Sequence, residues 1–468
     1  MISAKGVLVK KNGSRYFKKK ITRRKFLKDV AIGTAGTMLG TQAFGRILEG
    51  EFFRQMSVVV ICRDVAATSG STINDTVVQI MVDESIKNLT GMTSVGDAWL
   101  SLFPGITQSS VIGMKVNALN AYLPAHPEVV NAIVDGLSQM VVGGSNFLKN
   151  NIIIWDRANS DLTGAGYTYY TGNDPFTPRC FGSNEVGYES FYWDLAGIQK
   201  HPTKILGMCD YLVDVGACKA HDPDPSGVSG SLKNYYGALQ PPIHSVGLHD
   251  NRCDPYIAEV YVEDAIRLKQ VINVIDGLFG TYNAGPVDPP QLFLLYPEGT
   301  PNAILMSTDP VAVDFEMKQE IIDAERILRN MSPTDAPHIH TAAEPPYELG
   351  TDDPAHIDLH YIINPSAVEE DKKHPIESLQ FVSVSPNPSR GKTRIVYNIP
   401  ATGRVALTIH DVLGRRLNRL VSKTQLPGRK SIQWNGCDSR GRPVPVGIYF
   451  CRLMFKNMRI ERRITVVR

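Results

Sequence analysis

The sequence predicts an α/β protein with a mostly parallel sheet and flanking helices, followed by a small all-β sandwich. From Gln55 onwards, short β-branched runs alternate with helical patterns, which is typical of strands joined by crossover helices. From Leu379 onwards, strand patterns follow one another with turn residues between them. With 468 residues, the chain has room for two or three domains.

The elements of the α/β segment follow from periodicity. Helices are predicted over residues 74–89, 127–140 and 310–328, where apolar residues recur near every 3.6 positions or a proline opens the first turn. Strands are predicted over residues 57–62, 110–116, 151–155, 211–215, 271–275 and 303–307.

Composition divides the chain into four parts. Residues 1–45 read as a targeting segment, 46–363 as the α/β domain, 364–377 as a polar linker and 378–468 as the β-sandwich. The first part carries a net charge of +10 and the last +15, which leaves −23 for residues 46–377 out of an overall +2. Because the acidic middle would repel phosphates, a nucleic-acid partner is not expected.

Seven cysteines are scattered along the chain without a C-x-x-C pair or a ferredoxin-type run. A locally encoded iron–sulfur cluster is therefore excluded. In an oxidising compartment one or two disulfides could form, and Cys437 with Cys451 is the first pair to check.

The amino-terminal segment combines a basic run with a short apolar stretch. Residues 21–28 read I-T-R-R-K-F-L-K, and the following 15 or so residues are apolar and rich in Gly, Ala and Thr, which is too short to span a bilayer. The pattern resembles a bacterial twin-arginine signal, with Arg23 and Arg24 as the pair. The resemblance implies the twin-arginine translocase as a partner and a destination in the periplasm, at the cell surface or outside the cell. It also favours a cofactor inserted before export, without identifying it.

Polar residues follow the predicted strands. In parallel sheets ligands bind beyond the carboxyl ends of the strands, so these positions are the first candidates for a site. They are Lys115, Asn117, Asp156, Lys219, His221, Asp276 and Asp309, and a Gly/Ser-rich loop adds Lys233 and Asn234. Asp309 precedes Pro310 and is predicted to cap a helix.

Three lysines in an acidic domain, Lys115, Lys219 and Lys233, suggest a pocket for an anionic group. Together with Asn117 and Asn234 they would bind the ligand, and the amides of Gly227, Gly230 and Ser231 would help to cradle it. A desolvated lysine, Lys219 above all, could instead act as a base or trap a carbonyl group. The alternative is that each lysine simply pairs with an acid and holds the loops in place.

His221, Asp156 and Asp276 are candidates for acid/base chemistry or metal binding beside Lys219. A divalent metal could use His221, His244 and His249 with nearby aspartates (Asp222, Asp224, Asp250 and Asp254), although the spacing favours a solvated loop as the explanation of the acids. A second His-rich stretch (His338, His340, His356 and His360) is interpreted as polar surface. The motifs of serine hydrolases, P-loop enzymes, zincins and dinucleotide-binding enzymes are all missing from the sequence.

Several segments together resemble the family called domain of unknown function 362. They are D-Y-L-V-D-V-G-A-C-K-A-H, S-G-V-S-G-S-L-K-N-Y-Y-G, V-I-D-G-L-F-G and D-P-V-A-V-D, within roughly residues 57–365. Members often carry ferredoxin-like modules, whose cysteine motifs this sequence lacks. The resemblance implies an α/β fold but no settled chemistry.

The carboxyl-terminal segment resembles the immunoglobulin-like domain of flagellar hook-capping proteins and the sorting domain of the type IX secretion system. S-P-N-P, D-V-L-G-R, W-N-G and V-P-V-G-I-Y-F carry this resemblance. It implies attachment or sorting, with the type IX machinery or the cell surface as a partner, and Trp434 and Tyr449 in the core. With its net charge of +15, this segment would bind an anionic cell surface or dock on the acidic domain.

Two functions follow from these patterns. The first is an exported, cofactor- or metal-dependent enzyme or ligand-binding protein that acts on an anionic small molecule. The alternative is a non-catalytic surface protein anchored by its β-sandwich.

Overall fold

The computed structural model describes residues 56–119, 121–221, 226–285, 287–366, 379–400, 403–425, 428–456 and 458–467. The predicted targeting segment and most of the predicted linker lie outside these residues. Among the described helices, none has the length and apolar character needed to cross a bilayer.

A large sheet forms the centre of the α/β segment. Its strands are β1 (Ser57–Arg63), β2 (Ile112–Val116), β3 (Ile152–Trp155), β4 (Arg179–Cys180), β5 (Tyr211–Ala217), β8 (Gln270–Gly277), β9 (Ala303–Ser307) and β10 (Ile357–Ile363), while β6 (Lys219–His221) and β7 (Gly227–Ser229) form a separate hairpin. The strand order in the sheet is β10-β1-β9-β8-β5-β2-β3-β4. Every neighbouring pair is parallel except the two that involve β9. The predicted mostly parallel α/β fold is therefore confirmed.

Helices cover both faces of the sheet. They are α1 (Asp75–Thr90), α2 (Val95–Leu100), α3 (Pro127–Leu137), α4 (Asn159–Gly164), α5 (Ser183–Val186), α6 (Ile205–Met208), α7 (Tyr256–Tyr261), α8 (Asp264–Arg267), α9 (Pro310–Met317), α10 (Asp323–Leu328) and α11 (Pro337–Ala343). The apolar faces of α1 and α3 pack into one buried cluster, and those of α7 and α9 pack into a second. Burial on both faces explains why the strands read as continuous β-branched runs.

The antiparallel direction of β9 separates Asp309 from the other strand-end residues. Asp309 lies at the opposite edge of the sheet, where its carboxylate accepts a hydrogen bond from Ser57 at 2.6 Å. It also accepts the backbone N–H groups of Val311 and Ala312, both at 2.9 Å. The predicted capping role of Asp309 is confirmed, and its grouping with the other strand ends is wrong because the sheet is not wholly parallel.

The carboxyl-terminal segment is a sandwich of two antiparallel sheets. Its strands are β11 (Gln380–Ser385), β12 (Thr393–Ile399), β13 (Gly403–His410), β14 (Arg416–Gln425), β15 (Gly428–Trp434), β16 (Gly447–Phe455) and β17 (Met458–Val466). One sheet has the order β11-β12-β15 and the other β14-β13-β16-β17. Both contribute to one buried cluster that contains Trp434 and Tyr449, so the predicted sandwich and its two core aromatics are confirmed.

No disulfide links any of the seven cysteines, all of which lie in the described part of the chain. Cys451 is buried in the sandwich core and Cys437 lies outside that cluster. The pairing proposed from the sequence is therefore not formed. Burial raises the pKa of the Cys180 and Cys209 thiols to about 12, which keeps both protonated at neutral pH.

Candidate functional site

A pocket of about 90 Å³ lies at the carboxyl edge of the sheet. Its walls come from the ends of β2 and β3, from the β6–β7 hairpin and from the 3₁₀ helix over Leu232–Ala238. Seven of the residues singled out in the sequence line it together: Lys115, Asn117, Asp156, Lys219, His221, Lys233 and Asn234. They meet because β5, β2 and β3 are consecutive parallel neighbours, so that their carboxyl ends lie side by side.

Lys115 and Asp156 form a buried ion pair at the base of this group, with 2.8 Å between Nζ and Oδ1. The other two donors of Lys115 Nζ go to the Val116 carbonyl at 2.7 Å and to Asn234 Oδ1 at 3.0 Å. Asp156 also accepts the backbone N–H groups of Ala118 and Arg157. The polar atoms of both side chains are thus engaged within the chain, as the structural interpretation expects, and the ligand and acid/base roles of Lys115 and Asp156 stay predictions.

Asn234 connects the 3₁₀ helix to the sheet. Its Nδ2 donates to Asp214 Oδ1 at 2.7 Å while its Oδ1 accepts from Lys115. The backbone approaches closely at Gly237, where a Cβ atom would lie 2.4 Å from Asp156 Oδ1. Asn234 therefore positions the loop, and Gly237 must be glycine for the loop to fit over the ion pair.

Lys219 differs from Lys115 in its partners. It is only 2% exposed, and its Nζ donates to Asn117 Oδ1 at 2.7 Å. In the part of the chain that the structure describes, no carboxylate lies within ion-pair distance of this ammonium group. Burial lowers the pKa of Lys219 from its usual 10.5 to about 7, with the charges of Asp156 and Asp276 acting against this shift and those of Lys115 and Lys233 acting with it.

Lys233 and His221 meet on the other side of the pocket. Lys233 Nζ lies 3.0 Å from His221 Nε2 and donates to Ser226 Oγ at 2.9 Å. Both side chains are buried, and both line the same cavity as Lys219. A second cation and an imidazole thus line the same cavity as Lys219.

Sequence reasoning missed Arg157 and Tyr236 as pocket residues. Arg157 directly follows Asp156 and forms a two-point contact with Asp161 at 3.0 and 3.2 Å. Tyr236 follows Lys233 by three positions and is fixed by a hydrogen bond to the Leu248 carbonyl. Both positions lie next to residues that the sequence did indicate, so sequence adjacency was the available signal.

Asp276 does not line the pocket. Its Oδ2 accepts the backbone N–H of His126 and pairs with His126 Nδ1, both at 2.7 Å, and its Oδ1 accepts the Leu278 N–H. Although burial lowers the pKa of His126, the Asp276 charge and hydrogen bond raise it above its usual value overall. Asp276 is therefore the partner of His126, a residue that the sequence motifs did not indicate, and its predicted catalytic role stays a prediction.

The Gly-rich loop packs closely against other parts of the chain. A Cβ at Gly227 would meet the Asp335 carbonyl oxygen at 2.1 Å, and one at Gly230 would meet Asp314 Oδ1 at 2.3 Å. The Ser231 N–H donates to Asp314 at 2.7 Å, as does the Leu232 N–H at 3.0 Å. The Ser231 amide is therefore bound to a carboxylate of the chain itself, and the predicted cradling of a ligand by the Gly227 and Gly230 amides stays a prediction.

The histidine-based hypotheses have a mixed outcome. Among the described residues, no three His, Cys, Asp or Glu side chains stand close enough to hold a metal ion; Asp222 and Asp224 lie outside those residues. His338 is fully buried, so its assignment to a polar surface is wrong. Burial lowers the pKa of His338 to about 3, with Lys233 and Lys318 contributing. His340, in contrast, is exposed and pairs with Asp352 as surface residues do.

The pocket combines cationic side chains, which attract negative charge, with the Lys219 amine, whose basicity is low. Among the described residues that line the pocket, four are cations (Lys115, Lys219, Lys233 and Arg157) and one, Asp156, is a carboxylate. Such a cavity can bind a small anionic group, and a neutral Lys219 can act as a base or a nucleophile.

Comparisons with known proteins give one family and several distant structures. The family model described as "Domain of unknown function (DUF362)" matches residues 112–317, which include all the lysines of the pocket. No curated protein sequence matches the chain.

Three solved structures are similar to small parts of it. Dimeric latent PorU from Porphyromonas gingivalis is 19% identical over 20% of this chain and 10% of its own, with a TM-score of 0.17. FlgD from P. aeruginosa is 20% identical over 19% of this chain and 66% of its own (TM-score 0.14), and FlgD from Xanthomonas campestris 19% identical over 19% and 64% (TM-score 0.15). This chain thus spans about a tenth of the length of PorU, and TM-scores this low support no functional argument. What the comparisons establish is that residues 112–317 are similar to the domain of unknown function DUF362, as the sequence motifs predict.

Proposed function

We propose that this protein binds a small molecule through an anionic group, a carboxylate or a phosphate, in the pocket at the carboxyl edge of the sheet. The observation that carries the proposal is the charge of the pocket lining: the lining residues that the structure describes include four cations and one carboxylate, inside a segment whose net charge is −23. Cations gathered in a cavity of an acidic body raise the local concentration of anions and bind them directly.

The burial of Lys219 strengthens this proposal. A buried ammonium group is costly unless an opposite charge satisfies it, and the polar contact of Lys219 is with the neutral Asn117 amide. Lys115 is already neutralised by Asp156. An incoming anion would therefore interact chiefly with Lys219, while Lys233 and the Asp161-paired Arg157 line the same cavity.

Calorimetric titration with sulfate, phosphate and acetate tests the proposal. We expect wild-type protein to bind at least one of these anions, and Lys219→Met or Lys233→Met to weaken binding about tenfold or more, because a charged hydrogen bond contributes about 1.5–3 kcal/mol. Lys149→Met is the matched control, since Lys149 pairs with Asp135 outside the pocket. Wild-type protein that binds none of the three anions at millimolar concentration would refute the proposal.

The proposal also includes export through the twin-arginine translocase, which the pattern around Arg23 and Arg24 supports. The double variant Arg23→Lys, Arg24→Lys should remain in the cytoplasm of a host with an active translocase, while wild-type protein reaches the periplasm. Equal periplasmic amounts of the two proteins would contradict this route.

A second candidate is a non-catalytic surface protein anchored by the sandwich. The observation that favours it is the set of exposed cations on β13 and β14, including Arg404, Arg419 and Lys423. Binding of the sandwich to an anionic cell surface should weaken steeply with salt. A stoichiometric small molecule in protein purified from the periplasm would instead favour the pocket-based function.

A further inference from the structure

The chemistry of Lys219 goes beyond a simple binding cation. Lys115, which lies beside it, has an acceptor for each of its three donors, one of them the Asp156 carboxylate. Lys219 Nζ is hydrogen-bonded to Asn117 Oδ1 and forms no ion pair among the described residues. The two lysines are close in the fold, but Lys115 contacts a carboxylate and Lys219 contacts a neutral amide.

This environment favours the neutral amine of Lys219. Burial is the largest effect, and the charges of Lys115 and Lys233 add to it, so that the pKa falls to about 7. Near neutral pH a large fraction of Lys219 therefore has a free lone pair, which is the form that attacks a carbonyl carbon. The hydrogen bond to Asn117 fixes the position of the nitrogen while leaving the lone pair of the neutral amine available.

The rest of the cavity fits a small anionic carbonyl compound. Lys233, His221 and Arg157 line the same space, so a carboxylate next to the amine would lie beside two cations and an imidazole. The cavity volume of about 90 Å³ corresponds to about six to nine water molecules, each of which needs about 10–15 Å³, and so restricts the ligand to a small compound.

We propose that Lys219 forms an imine with the carbonyl carbon of a small 2-oxo acid, whose carboxylate is bound by the other cations of the pocket. This inference rests on the proposed anion-binding function and names the substrate class of the same site. The amine nitrogen forms a bond to the carbonyl carbon, and the carbonyl oxygen leaves as water with the two hydrogens of the amine. No oxidant or metal is needed for this condensation.

Reductive trapping tests the inference on the full wild-type chain. Pyruvate is added with sodium borohydride, which delivers hydride to the imine carbon and makes the bond permanent, and lysine-containing peptides are then mapped by mass spectrometry. We expect Lys219 to gain the mass of pyruvic acid less one oxygen atom, to an extent at least tenfold above Lys87 and Lys149, whose side chains are partly exposed. Labelling of Lys219 at or below the level of these two lysines would overturn the inference.

Acetone is the matched control because it replaces the carboxylate of pyruvate with a methyl group. We expect acetone to label Lys219 at least tenfold less than pyruvate does, and sulfate to suppress labelling by pyruvate. Equal labelling by acetone would refute recognition of the carboxylate and with it the 2-oxo acid assignment.

The two proposals fail in different ways. Wild-type protein that binds sulfate but is not labelled by pyruvate at Lys219 refutes the imine and leaves anion binding intact. Protein that binds no anion and is not labelled refutes both. The peptide map is read on wild-type protein, so neither result depends on whether a Lys219 variant folds.

Discussion

Lys219 donates a 2.7 Å hydrogen bond to Asn117 Oδ1, so a buried lysine ammonium group is held by a neutral amide. Lys219 follows β5 and Asn117 follows β2, which are neighbouring parallel strands. The contact therefore depends on the register of the sheet. Because an amide does not compensate a positive charge, the protonation of Lys219 should respond to anything negative that enters the pocket.

Anion binding should depend on pH through Lys219. Its pKa of about 7 means that the ammonium form predominates below neutral pH and the neutral amine above it. Sulfate, whose charge is constant in this range, should therefore bind up to about tenfold more weakly for each pH unit above 7. Calorimetry in two buffers with different ionisation enthalpies would show proton uptake on binding.

Lys219→Met separates this effect from other titrations. The groups whose charges act on Lys219 are Lys115, Lys233, Asp156 and Asp276. All four remain in the variant, as do the pocket histidines. Sulfate affinity with the same pH dependence in Lys219→Met and in wild-type protein would assign the titration to another group.

Lys219→Met should also make the fold more stable than that of wild-type protein at low pH. Since the folded-state pKa of Lys219 lies below its usual 10.5, its contribution to stability is present above 10.5 and is lost as pH falls towards 7. The change is up to about 1.4 kcal/mol per pH unit for one group. Urea unfolding without ligand should thus show Lys219→Met more stable than wild type at pH 6, with a smaller difference at pH 9. A gain that grows with pH would contradict the assigned direction.

The sequence predicted the location of the site because it follows from topology. Lys115, Asn117, Asp156 and Lys219 stand at or just beyond the ends of parallel strands, and periodicity was enough to find those strands. Once β5, β2 and β3 are adjacent, their ends must lie together. The positions of these residues in the sequence were therefore enough to predict that they lie close together, although not where their side chains point.

The partner of each side chain could not be predicted in this way. Asp276 and Asp156 both end parallel strands, yet one bonds His126 and the other Lys115. The direction of β9 was equally hidden, because a buried strand reads the same whether it runs parallel or antiparallel to its neighbours. Hydrogen-bond pairing depends on rotamers and loop paths, which periodicity does not encode.

Ser231 anchors the loop that carries Lys233 and Asn234. Its hydroxyl donates to the buried Asp214 carboxylate at 2.5 Å, and its N–H donates to Asp314. Burial raises the pKa of both carboxyls to about 7, while these hydrogen bonds act in the opposite direction. The stability contributed by each carboxyl is therefore present below its usual value of 3.8 and is lost as pH rises through about 7.

Removing the Ser231 hydroxyl should increase the stability that the protein loses as pH rises. Ser231→Ala leaves the ionised Asp214 without one of its donors, so we expect about 2 kcal/mol of destabilisation at pH 8 and less at pH 5, where the carboxyl is protonated. Urea unfolding at the two pH values measures the difference. Ser422→Ala, on the exposed part of β14, is the control and should be neutral at both. A larger cost at pH 5 would contradict the assigned role.

Arg394 joins the sandwich to the α/β segment. From β12 it forms a two-point ion pair with Glu316 of α9, at 2.8 and 3.0 Å, and a further contact of 3.3 Å with Glu320. Glu316 is fully buried, and burial raises the pKa of its carboxyl even though Arg394 acts against this. At least one cation of the basic module therefore docks on the acidic segment.

Breaking this pair should loosen the junction. Arg394→Met leaves Glu316 buried without its charge partner, and such losses cost about 3–5 kcal/mol. We expect faster proteolysis and faster amide exchange in β12 and α9, with Glu316→Gln recovering part of the stability in the double variant because a neutral amide is cheaper to bury. Arg404→Met, an exposed cation on β13, should change neither measurement. If Arg394→Met and Arg404→Met behave alike, docking depends on the apolar contacts of the junction and the ion pair adds nothing.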